Sequence, residues 1–135
     1  MKIFKIAATI TSDYLNEWIQ NLAANEFGGP EKANEGWCGE ISGEIYRFLK
    51  VRGENPEIWG IIYWIDNKDH PNVIENLTLE EKECLEEQSC GVINHSFVKW
   101  NGELWDGMGR NTLSSMLQQH AWGSLGNGVS IAREV

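Results

Sequence analysis

The apolar positions of this chain change period several times, and each change marks an element. In "DYLNEWIQNLAANE", residues 13–26, Leu15, Trp18, Ile19 and Leu22 recur at the spacing that gathers side chains on one face of a helix. Ser12 or Asp13 stands where an N-cap acceptor is needed, and Gly28, Gly29 and Pro30 stop the helix. The polar run "PEKANEG" reads as a loop. The helical pattern returns in "EGWCGEISGEIYRFLKVRG", residues 35–53, where Ile41, Ile45, Phe48, Leu49 and Arg52 share a stripe and Gly53 ends the helix.

"PEIWGIIYWID" is short, β-branched and aromatic, and it runs into the turn-forming "DNKDHPN", which predicts a central strand over residues 57–65. "NLTLEEKECLEEQSCG" predicts a short, acidic, exposed helix in which Thr78 caps and Glu81 completes a capping box. "GVINHSFVKWNGELWDGMG" alternates on both sides of Asn101-Gly102, a pair suited to the positive φ angles of a two-residue hairpin turn. A further helix follows Asn111 in "NTLSSMLQQHAWG", and "GVSIAREV" reads as a closing strand. The N-terminal apolar run is broken by Lys5 and lacks a small-residue cleavage site, so it reads as a first strand or turn and not as a signal peptide. The order helix, helix, strand, helix, hairpin, helix, strand predicts an α+β chain forming one domain over residues 1–135.

Composition supports a packed core: 135 residues, 41% hydrophobic, with seven tryptophans. The net charge of -9 and the lack of any basic run argue against nucleic acid as a partner. No stretch approaches the roughly 18 apolar residues of a membrane span, so a soluble, cytoplasmic protein is expected. Three cysteines, Cys38, Cys84 and Cys90, disfavour a disulfide framework and suit a reducing compartment. The spacing of Cys84 and Cys90 matches no zinc pattern. Asp66, Asp69 and His70 are read as an exposed loop rather than a metal site, so neither metal nor cofactor is expected. His120, near a helix end, is expected to interact with the helix dipole.

The hairpin allows a geometric step. If Trp100 pairs with Glu103, then His95 faces Met108 and Phe97 faces Asp106. Side chains two apart share a face, so Asp106 lies diagonally from His95, about 7 Å away between backbones. An imidazole oriented by a carboxylate follows from that register, and a one-residue slip would separate the two. Cys38 lies on the same stripe as Ile41, Ile45, Phe48 and Leu49, so its thiol is turned toward the sheet and the hairpin. At the first turn of a helix, free N–H groups and the dipole favour a thiolate, and a nearby histidine favours it further. Gly36 and Gly39 leave room for a substrate to approach the backbone, and the Cys38 N–H is a candidate oxyanion donor.

A cysteine opening a core helix, a histidine on one strand and an aspartate on the next together resemble the papain-like and transglutaminase-like cysteine enzymes. "GWCGEISGEIYRFL" is similar to their nucleophile helix, and "NHSFVKWNGELWDGMG" to the transglutaminase-core hairpin, over Cys38 to about Gly109. The resemblance implies an α+β core of that type, with the nucleophile helix packed on a small antiparallel sheet. It also implies a Cys38 thiolate, His95 as general base and acid, and Asp106 as the orienting group, forming an acyl-enzyme on an amide or ester carbonyl. The substrate would be a protein, a peptide or a small amide; water would make the enzyme a protease, amidase or deamidase, and an amine a transglutaminase. Papain-like enzymes place a glutamine shortly before the cysteine as oxyanion donor. Here that region holds Lys32, Asn34, Glu35 and Trp37, which leaves Asn34, Trp37 and Gly39 as candidates for oxyanion or substrate contacts. Trp59, Trp64, Trp100, Trp105 and Trp122 read as core, with Trp100 or Trp105 a further candidate to line a substrate groove. The alternative from another class is a non-catalytic binding or inhibitor module on the same fold, because a lone cysteine on an apolar stripe is ordinarily a packing residue.

Overall fold

The computed structural model describes residues 10–66, 68–120, 125 and 128–135. The elements in chain order are α1 (Ser12–Glu26), α2 (Pro30–Glu35), α3 (Cys38–Lys50), β1 (Glu57–Trp64), β2 (Val73–Leu77), α4 (Leu79–Glu87), β3 (Gly91–Trp100), β4 (Glu103–Asp106), β5 (Gly109–Asn111), α5 (Leu113–His120) and β6 (Val129–Glu134). The fold is α+β, and the described strands form one six-stranded sheet in the order β2-β6-β1-β3-β4-β5. The sheet is antiparallel from β6 to β5, but β2 lies parallel to β6 at one edge, so it is mixed rather than purely antiparallel. The N-terminal residues 1–9 and Trp122, read above as a strand or turn and as core, lie outside the described residues.

Several local expectations change for identifiable reasons. The cap of α1 is Thr11, not Ser12 or Asp13, and its hydroxyl accepts the Tyr14 N–H at 3.1 Å. The polar "PEKANEG" contains the short helix α2, because Pro30 at its start has no N–H to leave unpaired and Ala33 finds a buried position. Strands β2 and β5 are short edge segments without a clean alternation. Other readings match the fold. Ile61 and Ile62 of β1 are both fully buried, as a strand covered on both faces requires. The Thr78 hydroxyl accepts the Glu81 N–H, and α4 buries no residue. Asn101 and Gly102 have φ of 56° and 70°, and Trp100 pairs with Glu103.

Helices cover both faces of the sheet. On one, Ile41, Ile45 and Leu49 of α3 join Leu15 and Ile19 of α1 against Val98, Trp100 and Trp105. On the other, Met116 and Leu117 of α5 pack with Trp59, Ile61 and Phe97. Each fully buried aliphatic side chain stabilises the fold by about 1.5–3 kcal/mol, so the α3 stripe holds the first turn of that helix firmly at β3. Among the described residues, no helix is long and apolar enough to cross a membrane.

Candidate active site

Two departures from a regular sheet bring the candidate residues together. The first is a β-bulge: the β1–β3 register jumps from Ile61–His95 to Ile62–Ile93, leaving Asn94 as the extra residue. A bulge re-aims the side chains next to it. Ile93 packs with Ile62 and Leu77, whereas His95 turns to the α5 face, its ring 6.4 Å from that of Phe97. The second is a fork. The β3–β4 ladder ends at Val98–Trp105, so the backbones of Ser96 and Gly107 find other partners. The Ser42 hydroxyl donates to the Ser96 carbonyl at 3.0 Å, the Gly107 N–H donates to Asn34 Oδ1 at 2.7 Å, and the Ser96 backbone favours the Cys38 thiolate. Cys38 and Ser42 are one helical turn apart, so the start of α3 closes the fork, and a thiol from one side of the sheet meets an imidazole from the other.

His95 and Asp106 are both fully buried, and Nε2 of the ring lies 2.9 Å from Asp106 Oδ2. The carboxylate also accepts the Asn111 side-chain amide at 3.0 Å and the Met108 N–H at 2.9 Å. An ionised carboxylate so placed requires Nε2 to carry the proton. Nδ1 is buried without a hydrogen bond of regular geometry among the described residues, which leaves it as the nitrogen through which the ring and the Cys38 sulfur influence each other. Cys38 itself is half-buried. Trp37 caps α3 without a side-chain hydrogen bond, so the first N–H groups of that helix stay open beside the sulfur.

The electrostatics follow from this placement. Burial would raise the Cys38 thiol, but contact with the His95 ring, the Ser96 N–H, the charge of His95 and the Gly39 N–H together hold it below its ordinary value. Burial would lower His95, yet the bond to Asp106, the contact with Cys38 and the charges of both raise it. The two shifts are complementary: each favours a thiolate beside an imidazolium.

Compared with protein-family models, with curated proteins and with solved structures, the chain matches none.

The arrangement brings Cys38, His95 and Asp106 into one chain of contacts and distributes the remaining candidates around it. The Gly39 backbone adds to the lowering of the Cys38 thiol, and the space beside Gly36 and Gly39 is open. Asn34 is buried with Oδ1 held by Gly107, while its Nδ2 has no partner among the described residues. Trp37 is exposed, with its ring 6.1 Å from that of Phe27. Trp100 and Trp105 do not line a groove: both are buried in the core, and the Trp105 indole donates to the Trp100 carbonyl. His70 is not an exposed loop residue, because it stacks on Trp64 at 3.7 Å and bonds to Asp66 at 2.6 Å. No group of three or more His, Cys, Asp or Glu among the described residues is placed to hold a metal ion.

Sequence reasoning missed four participants. Ser42, Ser96 and Asn111 carry no motif, and their roles arise only from the fork. His120 was assigned to a helix dipole, but its ring lies parallel to that of His95, with centroids 3.8 Å apart and 3° between planes. Burial and then the charge of His95, partly offset by Asp106, lower His120 to about 4. It therefore covers the His95 ring as a neutral imidazole above that pH.

Proposed function

We propose that the chain is a thiol enzyme of papain-like or transglutaminase-like kind that forms an acyl-enzyme on an amide or ester carbonyl. The observation that carries this reading is the fully buried His95–Asp106 bond of 2.9 Å, whose ring has its other nitrogen left to the Cys38 thiol. A buried ion pair is a weak device for stability, and one placed beside a thiol suits chemistry better. Cys38 is the nucleophile, His95 the general acid and base, and Asp106 the group that holds the ring in its tautomer.

The Cys38 thiolate attacks the carbonyl carbon, forming a C–S bond while the carbonyl electrons move to oxygen. The Cys38 N–H, at the first turn of α3, serves as a backbone donor for that oxyanion. Collapse re-forms the carbonyl and breaks the bond to the leaving amine or alcohol, which takes the proton of the His95 imidazolium. Water then gives its proton to His95 and attacks the thioester; the C–S bond breaks and the thiolate returns. An amine in place of water gives transfer by the same steps.

A p-nitrophenyl ester tests this reading. The intact protein should release p-nitrophenol in a burst of one equivalent per chain and carry the acyl group on Cys38 by peptide mass analysis. Cys38→Ser and His95→Ala should abolish the burst. Acylation elsewhere, or a burst that survives Cys38→Ser, would refute the assignment.

A further inference from the structure

Beside the stacked histidines a cleft of about 480 Å³ opens between α2, the Asn94 bulge, the turn after β4 and the end of α5. Its polar walls are one-sided in charge. They are lined by Glu31 and Glu35, by Asn34, Asn94 and Gln119, and by His120, with no Lys or Arg among the described lining residues. Lys32, on the same helix, folds back over Gly28 instead. Glu31 and Glu35 are four residues apart on α2, a spacing that puts like charges on one face where they repel. Neither carboxylate takes part in an ion pair among the described residues. Asn34 stands between them, only 5% exposed, and its Nδ2 is a buried donor without an acceptor. Such a donor keeps its desolvation penalty until an acceptor reaches it.

We propose that this cleft is the specificity site of the reaction above, and that it takes a substrate bearing a free ammonium group next to a carbonyl oxygen, as in an amino-acid or peptide amide with an open amino end. The ammonium sits between Glu31 and Glu35 and offsets their mutual repulsion, and the carbonyl oxygen accepts from Asn34 Nδ2. This inference rests on the thiol-enzyme reading, since it is adjacency to His95 through His120 and Asn94 that makes the cleft a substrate site.

Calorimetry on the full chain carrying Cys38→Ser tests the proposal, with alanyl-alaninamide and its N-acetyl form as probes. The free amine should bind about tenfold more tightly than the acetylated form, the product of two surface charge contacts worth a few-fold each. In a Glu31→Gln, Glu35→Gln variant with unchanged circular dichroism, the two probes should bind within about twofold of each other, and added salt should erase the preference in the unsubstituted cleft. Equal binding of the two probes, a preference that survives the double substitution, or no binding of either overturns the proposal. The measurement does not use the thiol. Rapid alkylation of Cys38 with no amine preference therefore overturns the cleft alone, whereas slow alkylation with an intact preference overturns the enzyme reading.

Discussion

Asp106→Asn exchanges one buried oxygen for an NH2 group at constant size, and its consequence is traceable atom by atom. The carboxylate accepts from His95 Nε2 at 2.9 Å, from the Asn111 amide at 3.0 Å and from the Met108 N–H at 2.9 Å. Whichever way the amide turns, its NH2 meets donors: with its carbonyl on Met108 it faces His95 Nε2–H and Asn111, and with its carbonyl on those two it faces the Met108 N–H. In the first orientation His95 is relieved by moving its proton to Nδ1, which removes the lone pair that faces Cys38; in the second it keeps a hydrogen bond, but to a neutral acceptor. The negative charge that raises His95 is lost as well. A hydrogen bond to a charged group is worth about 1.5–3 kcal/mol. At ~1.4 kcal/mol per tenfold, that loss lowers the population of the thiolate–imidazolium pair by about 10- to 100-fold below the ionisation of the thiol. Alkylation of Cys38 by iodoacetamide at about pH 6 should therefore slow by about 10- to 100-fold in the variant, and the two rates should converge at a pH where both thiols are ionised. Timed quenching with peptide mass analysis reads the rate, and circular dichroism checks that the variant is folded. A folded variant that reacts at the original rate at about pH 6 would refute the link from Asp106 through His95 to the thiol.

Three further outcomes follow from the same geometry. Ser42→Ala leaves the Ser96 carbonyl in the fork without its 3.0 Å donor and should lower stability by about 1–2 kcal/mol in denaturant melts. Gly107→Ala sets a Cβ 2.6 Å from Asn34 Oδ1 and 2.7 Å from Ala33 Cβ, so α2 must shift; a loss of about 1–3 kcal/mol is expected, and an unchanged melt would contradict the close approach. His120 and His95 act in different pH windows. His120 is depressed to about 4, so between that value and its ordinary 6.5 the unfolded chain binds the extra proton, and stability falls as pH drops through this window. His95 is raised, so its contribution is present below 6.5 and is lost as pH rises through its folded value. His120→Phe keeps an aromatic ring on His95 and should flatten the acid side of the stability profile while leaving the alkaline side in place.

The helical stripe of α3 and the hairpin were legible because each is encoded locally. A period of three and four fixes which face of α3 is buried, and Asn101-Gly102 fixes the register from Trp100–Glu103 to Val98–Trp105. The expected pairs His95–Met108 and Phe97–Asp106 do not form, because the ladder ends before them and Met108 lies in the turn to β5; His95 and Asp106 meet across the fork instead. The bulge at Asn94 was not legible, since nothing in "GVINHSFV" marks an extra residue and only the pairing with β1 reveals it. Nor was the fork, which depends on the ladder ending early and on Ser42 being one turn from Cys38. Composition hid α2, where polar residues form a helix that is anchored by Ala33 and Asn34 rather than by an apolar stripe. The parallel strand β2 escaped because it lies at an exposed edge and most of its residues meet water. His120 required knowing which face of the sheet α5 covers, a tertiary fact that no spacing within the helix contains.

The central claim, a half-buried thiol made reactive by His95 and Asp106, sets chemistry against accessibility among the three cysteines. Cys84 is exposed, whereas Cys38 and Cys90 are half-buried, so access alone would make Cys84 the first to react. The direct measurement is competitive labelling of the intact protein with iodoacetamide across pH, each cysteine followed by peptide mass. The account predicts that Cys38 is labelled first at about pH 6, with a midpoint below the ordinary thiol value near 8.5, and that His95→Ala removes this lead. Labelling led by Cys84, with all three midpoints at the ordinary value, would contradict it.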